Sequence, residues 1–215
     1  MRPIYYNPLR FLGWNLWWEL ARLVWIIWKE YHPDSTTKSI VILGCAGSGK
    51  THLWRKLQGE HYDESDRATH LEKVKSFVLG RNRNGIVYVK ETDDIAGSDG
   101  FIKKYDKLIE DDTFVYFLIN LTRLEEEKQD NRSRLDKIGR IKRNKKNVKL
   151  NIIGTHAIEY NINEKAARKA ILEKVFSKDI KTIKTPNNIR IIDTKDDARI
   201  EELRNEILKS IENDE

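Results

Sequence analysis

An α/β domain built on a six-stranded, mostly parallel sheet, with helices on both faces and one antiparallel edge hairpin strand, is the fold this sequence predicts. Three observations predict it. From Ser39 onward, short β-branched runs alternate with longer stretches of helical periodicity, the pattern of strand–helix units wound into a parallel sheet. The apolar run Ile40-Val41-Ile42-Leu43 leads straight into Gly44-Cys45-Ala46-Gly47-Ser48-Gly49-Lys50-Thr51, a full match to the phosphate-binding pattern G-x-x-x-x-G-K-[ST] between a strand and a helix. Further on, Asn84-Gly85 separates two apolar runs, a strong hairpin signal.

The elements follow in order. Ile40 to Leu43 is the first strand, and the phosphate-loop helix covers Leu53 to Leu57. A polar stretch without periodicity, His61 to His70, comes next. Val74 to Leu79 and Ile86 to Lys90 are strands made antiparallel neighbours by the turn Gly80 to Gly85. After Glu91 to Gly97, a helix is expected near Phe101 to Ile109. Thr113 to Asn120 is apolar almost throughout, as expected of a strand covered on both faces. Arg123 to Asn144 is charged and helical for much of its length. A strand at Val148 to Ile153, a helix at Asn163 to Phe176, a strand at Ile189 to Ile192 and a helix at Asp196 to Ile211 complete the chain, with no internal repeat.

Each position of the glycine-rich loop has a chemical reason. Its glycines let the backbone wrap a triphosphate with N–H groups pointing inward, and the following helix presents its positive end to the anion. Lys50 would reach the β- and γ-phosphates, and the Thr51 hydroxyl would ligate Mg²⁺. The 215 residues suffice for one full domain with an appendage. A charged fraction of 34% and a net charge of +6 suggest a soluble, basic domain. The single cysteine, Cys45, excludes an intramolecular disulfide and points to a reducing compartment. It reads as a small residue that fits the loop, with a reactive thiol as the alternative.

The N-terminus has a different composition. Trp14, Trp17, Trp18, Trp25 and Trp28 are five of the six tryptophans, and they lie among Phe11, Leu12, Leu16, Leu20, Leu23, Val24, Ile26 and Ile27. On a helix, Asn15, Glu19, Arg22 and Lys29 form one narrow polar stripe, with Glu19 and Arg22 placed to pair. About 20 residues suffice to span a bilayer, yet two charges near the middle are unfavourable there unless paired or facing a partner. Residues 9–28 are therefore expected to meet membrane lipid or a membrane protein, either in the interface or spanning it. The alternative is a helix packed on a groove of its own domain or of a partner. A cleaved signal peptide is not expected, because the apolar region is long and lacks a small-residue cleavage site before Tyr31. The expected organisation is residues 1–30 as the Trp-rich helix, 31–38 as linker, and 39–215 as the α/β domain.

This order of motifs resembles Ras-like small GTPases, within the class that also contains the Arf family and the signal-recognition-particle receptor β subunit. The resemblance runs from about Ser39 to the C-terminus. It rests on the sequence phosphate loop, polar segment, hairpin, then Asp94-Ile95-Ala96-Gly97, a D-x-x-G match at the end of the third strand. It implies GTP/GDP and Mg²⁺ as ligands, with Gly44, Cys45, Ala46, Gly47, Ser48, Gly49, Lys50 and Thr51 around the phosphates. It further implies that Asp94 serves the metal together with Thr51, and that the Gly97 N–H contacts the γ-phosphate. Thr69, in the polar stretch before Val74, is the candidate for the switch threonine that senses Mg²⁺ and the γ-phosphate. Lys50, Thr69 and Gly97 would then be the residues closest to catalysis.

The match departs at two places. Gly154-Thr155-His156-Ala157-Ile158 resembles the T-H-x-D variant of the base-reading motif, with Thr155 and His156 in place. Ile158 occupies the position of the aspartate that accepts two hydrogen bonds from guanine, and a site built to read donors discriminates poorly without its acceptor. Glu159 is a candidate substitute. Asp193-Thr194-Lys195 sits where the family has S-A-K, so Thr194 and Lys195 would support the base. Ser98 stands where many members have a water-orienting glutamine, which implies slow intrinsic hydrolysis unless a partner supplies a residue.

Lys137, Arg140, Lys142, Arg143, Lys145, Lys146 and Lys149 form a basic run without interleaved aromatics. It reads as a solvated helix face, a lipid-headgroup contact or an acidic-partner patch, and nucleic acid is not an expected partner. The histidines show no metal-ligand spacing. Taken together, these features predict a GTP-binding switch with slow Mg²⁺-dependent hydrolysis on the cytoplasmic face of a membrane. An effector and an activating protein are the expected partners, with self-association as a further option. The alternative is a nucleotide-binding scaffold, or pseudo-GTPase, that assembles partners through its N-terminal helix.

Overall fold

The computed structural model describes residues 18–25, 34–60, 71–159, 162–176, 180, 182–183, 186 and 189–213. Residues 18–25 form a helix, α1. The elements that follow are β1 (Ser35–Gly44), α2 (Lys50–Gln58), β2 (Leu71–Val74), β3 (Phe77–Asn82), β4 (Gly85–Val89) and β5 (Thr92–Ile95). A 3-10 turn at Asp99–Lys104 leads into α3 (Tyr105–Leu108), and then come β6 (Thr113–Asn120) and a second 3-10 turn at Leu121–Arg123. The chain finishes with α4 (Lys128–Asn144), β7 (Lys149–Thr155), α5 (Glu164–Lys174), β8 (Ile189–Ile191) and α6 (Asp197–Glu212).

Six strands form one sheet in the order β3-β4-β1-β6-β7-β8, and only the β3–β4 pair is antiparallel. The edge hairpin is closed by Asn82, whose side-chain oxygen accepts from the backbone N–H of Asn84 (3.0 Å) and of Gly85 (3.1 Å), an Asx turn of the expected kind. Side chains alternate across a strand, so a strand between two helical layers is apolar on both faces. That accounts for β6, in which all eight residues are buried. Its Val115, Phe117 and Ile119 join Val41 and Leu43 against Tyr105 of α3, Leu135 and Ile138 of α4 and Ile171 of α5. The other phase, Phe114, Tyr116 and Leu118 with Ile40 and Ile42, packs on Leu53, Trp54 and Leu57 of α2 and on Ile200, Leu203 and Ile207 of α6.

Trp54 is fully buried and meets Phe77 edge to face, ring centres 6.3 Å apart. Arg204 of α6 donates to the last carbonyls of α2, Lys56 (3.1 Å) and Leu57 (2.9 Å). This satisfies acceptors that a helix C-terminus leaves open and fixes α2 beneath the phosphate loop. Asn163 and Asp196 cap α5 and α6 by accepting from backbone N–H groups of their first turns.

The structure revises four expectations. The stretch Val74 to Leu79 is two strands, because the buried phase shifts at the exposed pair Lys75-Ser76: Val74 and Leu79 are both buried but cannot share one face of a single strand. Asp94 does not end the third strand of the sheet. It lies in β5, which pairs antiparallel with β2 through Glu72↔Asp94 in a separate two-stranded ladder. The region near Phe101 is mostly 3-10, with α3 only four residues long. Ser35 to Lys38, read as linker, extend β1 and pair with β4.

Within α1, Trp18, Leu20, Leu23, Val24 and Trp25 are all exposed. Among the described residues no helix is long and apolar enough to cross a membrane. The remainder of the expected 9–28 helix, and Thr69, lie outside the described residues. In the basic run, Lys137 pairs with Asp106 and Arg140 with Asp136, so part of it behaves as an ordinary solvated face.

Candidate functional site

β1 delivers Gly44 to the C-terminal edge of the sheet, and Cys45 to Gly49 loop from there into α2. Gly49 is the N-cap of α2 with φ 86°, a left-handed conformation open to glycine at little cost, and no side chain caps the helix. α2 starts directly at the loop, and its first turn holds no acidic residue, so no side-chain charge offsets the positive end it presents there.

Lys50 is buried, and its Nζ donates to the Cys45 carbonyl at 2.9 Å. Burial lowers its pKa from the usual lysine value, against the pull of the Asp94 carboxylate. Asp94 is 2% exposed and receives the Thr51 hydroxyl on Oδ2 at 2.5 Å. Burial raises its pKa, and the Thr51 hydrogen bond and the Lys50 charge oppose that rise. Its other oxygen, Oδ1, is buried without a hydrogen-bond partner, a costly state for a carboxylate. A hydroxyl and a half-satisfied carboxylate side by side are a hard-oxygen donor set of the kind Mg²⁺ takes. No cluster of three His, Cys, Asp or Glu exists among the described residues, so a metal here would complete its shell from a ligand and water.

Gly97 closes over the same loop. A Cβ built on it would lie 2.1 Å from the Ala46 nitrogen and 2.2 Å from the Cys45 carbonyl carbon, so only glycine allows this approach. Arg134 of α4, 1% exposed, holds the segment in place. Its Nη2 donates to the Gly97 carbonyl (2.7 Å) and to Asp99 Oδ1 (2.8 Å), and its Nη1 to the Tyr105 hydroxyl (3.2 Å). Ser98, between them, is exposed. The Cys45 thiol donates to Asn131 Oδ1 at 3.4 Å, and burial pushes its pKa up to about 11. It is therefore a packing residue and not a nucleophile.

At the other end of the cleft, Thr155 is fully buried and donates from Oγ1 toward the Ser48 carbonyl (3.1 Å), with the Ile119 carbonyl at 3.3 Å. His156 follows with φ 62° and sets Nδ1 2.9 Å from Thr155 Oγ1. Thr194 is buried, with Oγ1 3.4 Å from His52 Nδ1. Thr194 and His156 both approach Gly49, at 3.5 and 3.8 Å from where its Cβ would stand. Lys195 pairs with Glu159 at 3.4 Å and bridges the loops after β7 and β8. Ile158 is 72% exposed and flanks a groove of about 640 Å³ that also touches Ala157, Ile162, Asp193 and Asp196.

The sequence-predicted residues from Gly44 to Thr51, with Asp94 and Gly97, thus meet at one end, and Thr155, His156, Thr194 and Lys195 at the other. Three participants escaped sequence reasoning: Asn120, which donates to the Gly47 carbonyl (3.0 Å), Arg123, which donates to the Ala46 carbonyl (3.3 Å), and Arg134. Asn120 carried a readable signal, since it is the polar end of an apolar strand at the carboxyl edge of a parallel sheet, where ligands bind. Arg134, in the middle of a charged helix, carried none.

No protein-family model and no curated protein matches this sequence. Solved structures do match. The mammalian SRP receptor is similar over 80% of this chain and 99% of its own, at 14% identity and a TM-score of 0.56. Roco2 RocCORdC of Methanosarcina barkeri, solved bound to GDP, is similar over 81% of this chain at 16% identity and a TM-score of 0.53. The present chain spans about half of that protein, 48%. What these structures share with the chain is the fold, an α/β domain on a six-stranded, mostly parallel sheet with one antiparallel pair.

Proposed function

We propose that this chain binds guanine nucleotide with Mg²⁺ and hydrolyses GTP slowly, as a switch held at the cytoplasmic face of a membrane. One observation carries the reading: Lys50, Thr51, the half-satisfied Asp94 and the close-packed Gly97 converge on one glycine-rich loop. Thr51 and Asp94 would hold Mg²⁺, with Thr69 as a further candidate; the bound ion would neutralise charge on the β- and γ-phosphate oxygens. Lys50 exchanges its bond to Cys45 for the phosphates and stabilises the charge that develops between them. The Gly97 N–H would meet the γ-phosphate. Water attacks the γ-phosphorus in line; the bond to the β–γ bridging oxygen breaks, and GDP and phosphate leave with the proton of the water. Ser98 is too short to orient that water, hence the slow rate. His156, Thr194 and Lys195 would flank the base.

The geometry of GDP in the Roco2 structure belongs to that protein, and the guanine assignment here rests on the resemblance of the motifs. Membrane attachment is supported by the exposed Trp18, Leu20, Leu23, Val24 and Trp25, an interfacial apolar surface. A second reading, a scaffold with structural nucleotide, is favoured by the exposure of Ser98 and Ile158.

Labelled GTP should be displaced by GDP much better than by ATP, and phosphate release should vanish in Lys50→Ala. Equal displacement by ATP defeats the guanine assignment; tight binding without release establishes the scaffold. Sedimentation of the full chain with anionic vesicles, compared with a Trp18→Glu/Trp25→Glu variant, tests the membrane contact. Equal sedimentation of the two defeats it.

A further inference from the structure

Three consecutive carbonyls of the phosphate loop each receive a donor from outside the loop. Arg123 Nη1 donates to Ala46 (3.3 Å), Asn120 Nδ2 to Gly47 (3.0 Å) and Thr155 Oγ1 to Ser48 (3.1 Å). These donors come from the end of β6, the 3-10 turn that follows it and the end of β7, up to 107 residues away in sequence. In a trans peptide the C=O of one residue and the N–H of the next point in opposite directions, and there is no cis peptide among the described residues. Each outward tether therefore aims one N–H, of Gly47, Ser48 or Gly49, at the opposite side. The Gly47–Ser48 peptide displays both ends of this arrangement. Its carbonyl is on Asn120, while its N–H points to the Cys45 carbonyl (3.4 Å), the atom that also holds Lys50 Nζ (2.9 Å). The interior of the loop is thus marked by an N–H and an ammonium sharing a single acceptor, which an entering phosphate would replace.

The tethers are themselves held. The Asn120 amide is oriented by its Oδ1, which accepts from the Thr122 N–H (2.9 Å) and hydroxyl (2.7 Å). The Arg123 guanidinium is fixed by the buried Glu127 carboxylate at 2.8 Å. We propose that Asn120 and Arg123 are positioning residues for the β-phosphate: they act through the Ala46 and Gly47 carbonyls to pre-aim the N–H groups of Gly47 and Ser48. The inference rests on the nucleotide-binding reading given above. Preorganised dipoles bind without reorganising, so releasing the tethers weakens phosphate binding without touching the phosphate.

Fluorescent GDP and GMP titrations of the full chain, with melting temperatures of the nucleotide-free proteins, test this. Asn120→Asp keeps the shape and removes the donor; Arg123→Met removes the second tether at a half-exposed position, and Arg123→Lys restores a cation. Asn120→Asp should lose on the order of tenfold in GDP affinity, the equivalent of about 1.4 kcal/mol. Arg123→Met should lose less, and Arg123→Lys should recover part of it. GMP affinity should change little, so the GDP/GMP ratio falls. A residue that merely stabilises the fold would lower both affinities and the melting temperature together. An unchanged ratio in both variants, with tight GDP binding by the parent chain, overturns the positioning role alone. Failure of the parent chain to bind GDP overturns the nucleotide reading and this role together.

Discussion

The two ends of the cleft are built on different principles. At the proposed phosphate end recognition would rest mainly on backbone: N–H groups, a helix terminus and glycines would admit the ligand, while Asn120, Arg123 and Arg134 grip carbonyls. At the base end recognition would rest on side chains, and there Ile158 leaves the key position without an acceptor and facing solvent. A backbone site tolerates exchange of most side chains as long as its glycines and Lys50 survive, whereas a site that reads by side chains is weakened by any one exchange.

Four measurements sharpen or break the contrast. The largest effect is expected for Lys50→Ala, which removes the buried ammonium beside Cys45 and Asp94; GTP affinity should fall by about 100-fold, near 2.7 kcal/mol, by equilibrium titration. A loss below threefold would mean that the backbone alone holds the phosphates. Next, Ile158→Asp should raise the preference for GTP over ATP about tenfold in competition assays, because a paired acceptor is worth roughly 1.4 kcal/mol. No gain would show that the base lies elsewhere.

Asp94→Asn gives a smaller, pH-dependent effect on the nucleotide-free protein. Folding raises the pKa of Asp94 from 3.8, so its ionised form is disfavoured by folding. The resulting penalty is absent below pH 3.8 and complete above the folded-state value. The variant should therefore melt higher than the parent at neutral pH, by about 2–4 °C per kcal/mol relieved, and show no advantage in acid. Its nucleotide binding should at the same time lose its Mg²⁺ dependence. The smallest effect belongs to Cys45: with its thiol pushed up to about 11, alkylation at pH 8 should be far slower than for free cysteine, and nucleotide should protect it further. Rapid labelling of the native chain would refute the packing role.

Hydrophobic patterning made much of this fold legible and little of its wiring. β6 runs from Thr113 to Asn120 as expected, because a strand covered on both faces has an unbroken apolar run with polar ends. The β2–β3 break was hidden, since Val74, Phe77, Val78 and Leu79 look like one strand until the phase of burial is known. β5 was hidden too: Thr92-Asp93-Asp94-Ile95 has poor strand propensity, and only its pairing with β2 makes it one. In the site, the phosphate loop and D-x-x-G are local strings and could be read directly. The tether from Asn120 to Gly47 spans 73 residues and that from Arg134 to Gly97 spans 37, and such pairs exist only once the sheet has brought the loops together.

β1 also has a mechanical side. Ser35 to Lys38 are bonded to β4 and Ser39 to Gly44 to β6, so a single strand carries the chain from its N-terminal approach to the first glycine of the phosphate loop. Both neighbours run parallel to it. A pull on the segment before Ser35 would load these hydrogen bonds in shear, many at once, instead of opening them one by one. An N-terminal tether could thus bear force while the loop at the far end of the strand stays unstrained.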